Sequence, residues 1–319
     1  MSPIYEPLPV PERADATPLL DLQEKELALF ETVLTHFSAE DYTLEGEIRD
    51  EEKMWLSYEC MLRYLRATKW DSNEAIKRLE GTLKWRRDFG LYDVVTPELV
   101  EPEAVTGKEF LFGYDTRGRP AQYMCPSKQN TEEGPRQIQY TVWMLERAVD
   151  MMGPGVETLA LMINYADKAK NPSLGTARTV LNILQTHYPE RLGLALILNV
   201  PWMLQAFYKL ITPFIDPVTR AKMRFNPVTT EDGMFSTAAG ASGTDEEKAA
   251  ERIFEPRQLV KQWWGGAMEY EYDHEKYWPK LVELCDKRRN GMMEAWRKLG
   301  GKVGLKEWDM KNMLREHQT

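Results

Sequence analysis

Thr158-Leu159-Ala160-Leu161-Met162-Ile163-Asn164 and Leu194-Ala195-Leu196-Ile197-Leu198-Asn199-Val200 are near-continuous apolar runs, and residues 174–187 between them carry a helical pattern. Runs this apolar suit strands covered on both faces by helices. With the helix between them they make a β-α-β unit, expected to cross over right-handed. This part of the chain is therefore read as α/β. Around it stand His187-Tyr188-Pro189-Glu190-Arg191, a nearly all-apolar helix after Pro201, and Asp216-Pro217-Val218-Thr219-Arg220-Ala221-Lys222. A few charged groups thus adjoin a large apolar surface. Such a combination suits a ligand with a charged head and apolar tails, because tails need an apolar cavity and a head needs fixed donors and acceptors. The reading is a phospholipid carrier.

Outward from this unit, residues 110–114 and 121–124 flank Asp115-Thr116-Arg117-Gly118-Arg119-Pro120, a turn-rich link that predicts a hairpin or neighbouring strands. A helix is expected over about residues 137–152. Upstream, helical patterns cover residues 20–37, 52–67 and 73–89, with Leu62, Leu65, Ile76 and Leu79 at apolar positions and Asp71 or Ser72 capping the third. They predict a small helical bundle across residues 20–106, after an acidic, Pro-rich lead over residues 1–19 read as flexible. Residues 229–250 turn to Thr, Gly, Ala, Ser and acids without an apolar period, and are read as a solvated, mobile insertion. Helix returns over residues 277–299, and residues 301–319 are read as a polar tail.

With 319 residues, 43% of them hydrophobic, the chain can bury a sizeable core. A formal charge of -9 argues against a nucleic-acid partner, which needs a concentrated basic surface. It also argues against permanent adhesion to anionic membranes, so membrane contact is expected to be transient. Cys60, Cys125 and Cys285 lack paired spacing, so neither a disulfide framework nor a zinc site is expected. No metal or redox cofactor is expected either. The chain shows no basic start followed by an apolar run and no stretch of roughly 20 uninterrupted apolar residues. The expected state is a cytosolic monomer.

Several motifs in order carry a resemblance: Leu62-Arg63-Tyr64-Leu65-Arg66-Ala67, Lys84-Trp85-Arg86, Gly118-Arg119-Pro120, Tyr188-Pro189-Glu190-Arg191 and Asp216-Pro217-Val218-Thr219. Together they resemble the CRAL-TRIO lipid-transfer proteins. Within that family the chain is similar to the fungal phosphatidylinositol transfer proteins linked to pleiotropic drug resistance, through residues 184–193 and Tyr277-Trp278-Pro279. The likeness runs from about Trp55 to Glu307. It implies a CRAL-TRIO-N bundle, then a lipid-binding domain over residues 107–300 with a mainly parallel sheet and a mobile gate helix. The implied ligand is one phosphatidylinositol, exchanged at membranes or presented to a lipid kinase pathway.

Pro217 suits a helix start and Asp216 its cap. Thr219 and Lys222 then lie three residues apart beside an electropositive helix end, an arrangement able to hold phosphate. Spacing alone favours an ordinary capped helix with an exposed lysine; the resemblance reverses this and implies that both side chains contact the lipid phosphate. Glu190 follows the helix stop at Pro189, and its carboxylate offers only acceptors, which suits inositol hydroxyls. Glu190-Arg191 reads also as a local ion pair, whereas the resemblance implies headgroup roles. Some family members place another Arg where this chain has Thr68, next to Lys69. Relatives that carry phosphatidylcholine place Ser and Thr where this chain has Leu159 and Leu161. These leucines, with Ile163, are expected to form a more apolar pocket wall, which makes a sterol a candidate second ligand. Residues 201–211 read as a buried helix by pattern, and as the gate by resemblance, with Trp202, Leu204, Phe207, Leu210 and Ile211 on it.

Other functions compete. No Gly-x-Ser-x-Gly elbow, Gly-x-x-x-x-Gly-Lys loop or His-Glu-x-x-His occurs, and the chain has four histidines, so an enzyme is not the reading adopted. A haem-binding branch of the family ligates iron through Tyr and His, which points to His187 or Tyr165. At a helix end, His187 reads more simply as a packed or capping residue. A lipid-regulated adaptor that binds without transfer is the third alternative.

Overall fold

A computed structural model of the chain describes all residues except 1–2, 13–20, 168–172, 203–207, 209–211, 213–214, 216, 230–231, 237–249 and 317–319. Helices α1 (Glu24–Ser38), α3 (Tyr58–Ala67) and α4 (Ser72–Asp88) pack around Phe30, Val33, Leu62, Leu65, Leu79 and Leu83. Asp71 caps α4, accepting from the Glu74 N–H at 3.0 Å. The single helix expected over residues 52–67 is two, because α2 (Asp50–Trp55) ends before Leu56. Ser57 Oγ caps α3 by accepting from the Cys60 N–H at 3.1 Å. At the break, the Leu56 carbonyl accepts from the Gly304 N–H at 2.8 Å and the Tyr58 N–H donates to the Leu305 carbonyl at 3.0 Å. Orphan groups of two helix ends are thus satisfied by a distant segment, which local periodicity does not report. An unforeseen helix, α5 (Pro97–Ala104), starts with Pro in its first turn after a Thr96 cap.

Strands β1 (Glu109–Tyr114) and β2 (Pro120–Met124) pair antiparallel, and β3 (Leu159–Asn164), β4 (Leu192–Leu198) and β5 (Met223–Phe225) continue the sheet in parallel, in the order β1-β2-β3-β4-β5. α6 (Pro135–Asp150) links β2 to β3, α7 (Leu174–His187) links β3 to β4, and α8 (Pro217–Ala221) leads into β5. Side chains alternate between faces. The register therefore puts two rows on one face: Leu111, Gln122, Leu161, Ala195 and Met223, and beside it Glu109, Met124, Ile163, Ile197 and Phe225. α6 covers the β1–β2 end of that face, where the Tyr140 hydroxyl donates to the Glu109 carbonyl at 3.0 Å and Thr141 to the Glu109 carboxylate at 3.1 Å.

Helices on both faces are expected for β3 and β4; at β1–β2, for which the sequence predicts only a hairpin, aromatic side chains of an irregular segment cover the opposite face. Tyr270 stacks on Phe110 at 4.7 Å and Trp264 meets Tyr123 edge-on at 5.6 Å. Their rings supply the apolar cover that a helix would have given. Gly113 (φ 69) lies at the irregularity in β1, and a Cβ there would meet the Gln258 carbonyl at 1.9 Å, so the close approach requires glycine.

Three further segments differ from expectation. Within the insertion read as solvated, β6 (Met234–Ser236) pairs with β7 (Ala250–Arg252), and Phe235 is fully buried edge-on to Phe254. The lead read as flexible is held at Ile4, which pairs in parallel with Tyr270. After α9 (His274–Lys298), the polar tail contains α10 (Glu307–Glu316), and the Glu59 carboxylate accepts from the Glu307 and Trp308 N–H groups at its start. Each correction has one cause: a partner distant in sequence supplies the missing apolar or hydrogen-bonding surface. Among the described residues no helix is long and apolar enough to cross a membrane, and no group of three or more His, Cys, Asp or Glu is placed to hold a metal ion.

Candidate functional site

The two rows of the helical face are buried at β1 and again at Ala195 and Ile197 of β4, and are incompletely covered at β3 and β5. Leu111 and Gln122 are buried, as is Leu159, whereas Leu161, Ile163 and Met223 keep part of their surface and Phe225 is 39% exposed. β3 is the middle strand of five. Close-packed layers leave almost no space beside such a strand, so partial exposure of Leu161 and Ile163 means that the face above them is not packed to core density. Tyr165, Val200 and Tyr208 gather at its edge with Ile163, Ile197 and Met223. Tyr208 meets Phe225 edge-on at 4.9 Å, and its hydroxyl lies 3.5 Å from that of Tyr165. Of the expected gate residues, Trp202 is 77% exposed. Leu204, Phe207, Leu210 and Ile211 lie outside the described residues, as does the expected cap Asp216.

Charged groups collect at the amino end of β4. Glu190 adopts a left-handed conformation (φ 59) between α7 and β4, and its carboxylate accepts from Arg66 Nε at 2.5 Å. Arg66 Nη2 also reaches both Glu157 oxygens at 3.2 Å. Lys222 donates through Nζ to the Leu192 carbonyl at 2.8 Å, and its N–H donates to the Thr219 carbonyl at 3.1 Å. Thr219 and Lys222 therefore share one turn, and the lysine reaches β4 two residues from Glu190. Because α8 has five residues, its dipole adds little.

Arg191 and Thr68 are committed elsewhere. Arg191 is 9% exposed and donates to the Glu157 carbonyl at 2.9 Å; burial, and then the charge of Arg63, lower its pKa. Thr68 closes α3, with its hydroxyl 2.9 Å from the Tyr64 carbonyl and 3.1 Å from those of Leu65 and Asp71. Arg66, which the sequence did not single out, is the cation that touches Glu190. A signal for it existed: Arg63 and Arg66 stand three apart, hence on one side of a helix, within a run otherwise rich in Leu and Tyr.

Arg63 anchors this end, contacting Glu157 and Glu307 at 2.9 Å each, while Lys311 donates to Glu307 at 3.0 Å. Burial opposes ionisation of Glu307, but the charges of Arg63 and Lys311 outweigh it and hold its carboxyl well below the usual range. Glu59 shifts oppositely, pushed up by burial and by Glu307. The bundle, α10 and the approach to β3 are thereby tied to the arginine that meets Glu190.

His187 stacks flat on Trp85, with ring centroids 4.1 Å apart, and its Nδ1 lies 3.0 Å from Thr82 Oγ1. Burial, with the charges of Arg78 and Arg86, pushes it down to about 4, so the ring is neutral near pH 7. Tyr165 bonds to Leu198 at the far end of β4. Seven strand residues, about 20 Å, separate the two ends.

Residues 104–239 match the family model described as the CRAL/TRIO domain, and residues 29–81 match that of the CRAL/TRIO N-terminal domain. A CRAL-TRIO domain-containing protein of Schizosaccharomyces pombe is 48% identical over 82% of this chain, which spans 24% of that relative. Phosphatidylinositol transfer protein PDR17 of Saccharomyces cerevisiae is 36% identical over 94% of this chain and 88% of its own length. The crystal structure of Sfh5 covers 78% of this chain and 95% of its own, with a TM-score of 0.46 and 17% identity.

Proposed function

This chain belongs to the CRAL-TRIO family, and from that premise we propose that it is a lipid carrier, binding one phosphatidylinositol and exchanging it at membranes. The observation that carries this reading is the partial exposure of Leu161 and Ile163 on the middle strand, which we take as the floor of an apolar hollow over β3. Two acyl chains fit its chemistry. Each methylene buried there contributes about 0.8 kcal/mol, so escape of a two-chain lipid into water is negligible. Exchange then takes place while the hollow faces a bilayer, with the segment that begins at the exposed Trp202 moving aside. Cytosolic residence with transient membrane contact follows from such a cycle, and no bond-making step is part of it.

Glu190 accepts hydrogen bonds from inositol hydroxyls, and Lys222 with Thr219 donates to the phosphate. A carboxylate has about four acceptor sites, so the contact with Arg66 leaves capacity for a sugar. Arg191 and Thr68 support the site through the protein rather than through the ligand. In place of the hydroxyls that phosphatidylcholine carriers use, Leu161 presents hydrocarbon to the hollow, which disfavours choline phospholipids and suits a sterol body as a second ligand.

Lipids co-purifying with the protein, identified by mass spectrometry, should be dominated by phosphatidylinositol. The double variant E190A/K222A should lose its transfer between vesicles while melting within a few degrees of wild type, because the part-exposed Glu190–Arg66 ion pair contributes at most about 1 kcal/mol and the Lys222–Leu192 hydrogen bond about as much. Wild-type transfer by the double variant would overturn the headgroup assignment.

A further inference from the structure

Glu157 and Glu190 stand two residues before β3 and β4, and the register Leu159↔Leu192 sets those strand starts side by side. Arg63 and Arg66, three apart on α3, come down on this pair of carboxylates. Ion pairs then alternate in sign from the headgroup site to α10: Glu190 with Arg66, Arg66 with Glu157, Glu157 with Arg63, Arg63 with Glu307, and Glu307 with Lys311. The cavity among Glu59, Glu157, Glu307 and Lys311 measures about 10 Å³, room for no more than about one water. A ligand does not fit there, so this row of charges acts on the protein itself.

Arg66 is divided between two carboxylates. The Nε and Nη2 hydrogens of a guanidinium point the same way and form a fork that fits both oxygens of one carboxylate. Here the prongs part: Nε goes to Glu190 at 2.5 Å, whereas Nη2 reaches the two Glu157 oxygens at 3.2 Å. Glu190 thus meets one prong and keeps acceptor sites for other donors. Glu157 is the more firmly held of the two, its side chain 14% exposed against 35% for Glu190. Its carbonyl accepts from Arg191 and its carboxylate from Arg63, at 2.9 Å each. Arg63 is in turn held by Glu307 at 2.9 Å, and Glu307 by Lys311 at 3.0 Å.

We propose that Glu157 is a positioning residue for headgroup binding: it draws one prong of Arg66 away from Glu190 and so keeps the Glu190 carboxylate open to ligand hydroxyls. The inference rests on the reading of Glu190 as the inositol acceptor. With Glu157 uncharged, the pull on Nη2 is lost and the guanidinium closes on Glu190 with both prongs. A carboxylate has about four acceptor sites, and a two-pronged arginine takes one on each oxygen, so neither oxygen stays clear of the cation. α10 contributes through Glu307, which keeps Arg63 beside Glu157.

The test compares the full chain as wild type, E157Q, E190A and R66Q/E157Q in phosphatidylinositol transfer between vesicles, together with a crystal structure of lipid-free E157Q. E157Q should transfer about tenfold more slowly, the loss expected for one charge-assisted hydrogen bond. Its structure should show both Arg66 prongs on Glu190. R66Q/E157Q should regain most of the rate, because no fork is left to close. Arg63 keeps Glu307 as a partner in E157Q, and the comparison of the double variant with E157Q decides even where both melt lower than wild type. If the second substitution deepens the loss, Glu157 is merely structural and the inference is overturned. It is overturned as well if Arg66 still meets Glu190 through Nε alone in E157Q. Wild-type transfer by E157Q, with E190A impaired, would overturn this inference and leave the headgroup reading standing. Wild-type transfer by E190A would overturn the headgroup reading and this inference with it.

Discussion

At the β1–β2 end of the helical face, Leu111 and Gln122 are buried beneath neighbouring helices and even the carboxyl of Glu109 is enclosed, while at the β3–β5 end of the same rows Leu161, Ile163 and Met223 stay partly exposed. Leu111 and Leu161 are the same residue type in the same row, one strand apart from Gln122 on either side. Their difference lies in the cover. α6 bonds to Glu109, and the Tyr277 hydroxyl of α9 both accepts from the Leu111 N–H at 2.7 Å and donates to its carbonyl at 2.9 Å. A sheet face thus becomes core where α6 is bonded down on it and Tyr277 closes the β1 edge, and stays incompletely covered at β3 and β5.

The widest separation between the two ends should appear in truncations. L111A, at a site 2% exposed, should cost about 2–5 kcal/mol, the range for emptying a buried leucine site. L161A should cost no more than about 1 kcal/mol, since part of its surface is already outside the packed core. Chemical denaturation of both variants measures the gap. Equal losses would mean that β3 is packed like β1 and would remove the hollow.

Glu109 sharpens the comparison through pH. Burial pushes its carboxyl up to about 7, only partly offset by the hydrogen bond from Thr141. Glu146, a part-buried carboxyl, goes the other way, because Arg86 and the Tyr188 hydroxyl outweigh burial and hold it at about 2. A carboxyl raised in the folded state supports folding fully below its unfolded value, and that support is lost as pH rises from about 4.5 through about 7. E109Q should therefore match wild type in acid and exceed it by about 3 kcal/mol above pH 7. A stability difference that does not grow with pH would contradict the enclosed, unpaired carboxyl.

Selectivity is the smallest expected effect. L161S places a hydroxyl on the floor, and one hydrogen bond to a phospholipid head is worth about 1–3 kcal/mol when the partner would otherwise be left unpaired. Phosphatidylcholine transfer should rise about tenfold relative to phosphatidylinositol. An unchanged ratio in a vesicle assay would take Leu161 out of the ligand's path.

Much of the scaffold is legible along the chain. The apolar runs of β3 and β4, the hairpin turn, the Asp71 cap and the turn that joins Thr219 to Lys222 all depend on neighbours within a few positions. What resists reading has remote partners. Ser57 interrupts a continuous helical pattern because Gly304 and Leu305 take up the freed backbone groups, and α10 is fastened at its start by Glu59. Arg191 and Thr68 carry the right chemistry for a headgroup, yet one is turned into the interior and the other is bonded to its own helix end. Nothing in their local spacing distinguishes an outward from an inward side chain.

Taken alone, the amino-acid order determined the α/β class, the parallel pairing around α7 and the residue types able to hold a lipid, because alternation, helical period and caps are properties of short segments. Tertiary structure alone decided that Arg66 rather than Thr68 meets Glu190 and that Arg63 joins Glu157 to Glu307. These contacts join residues 124, 94 and 244 positions apart. At such separations loop closure, helix docking and strand register set which side chains meet, and that geometry comes into being only when the core is packed.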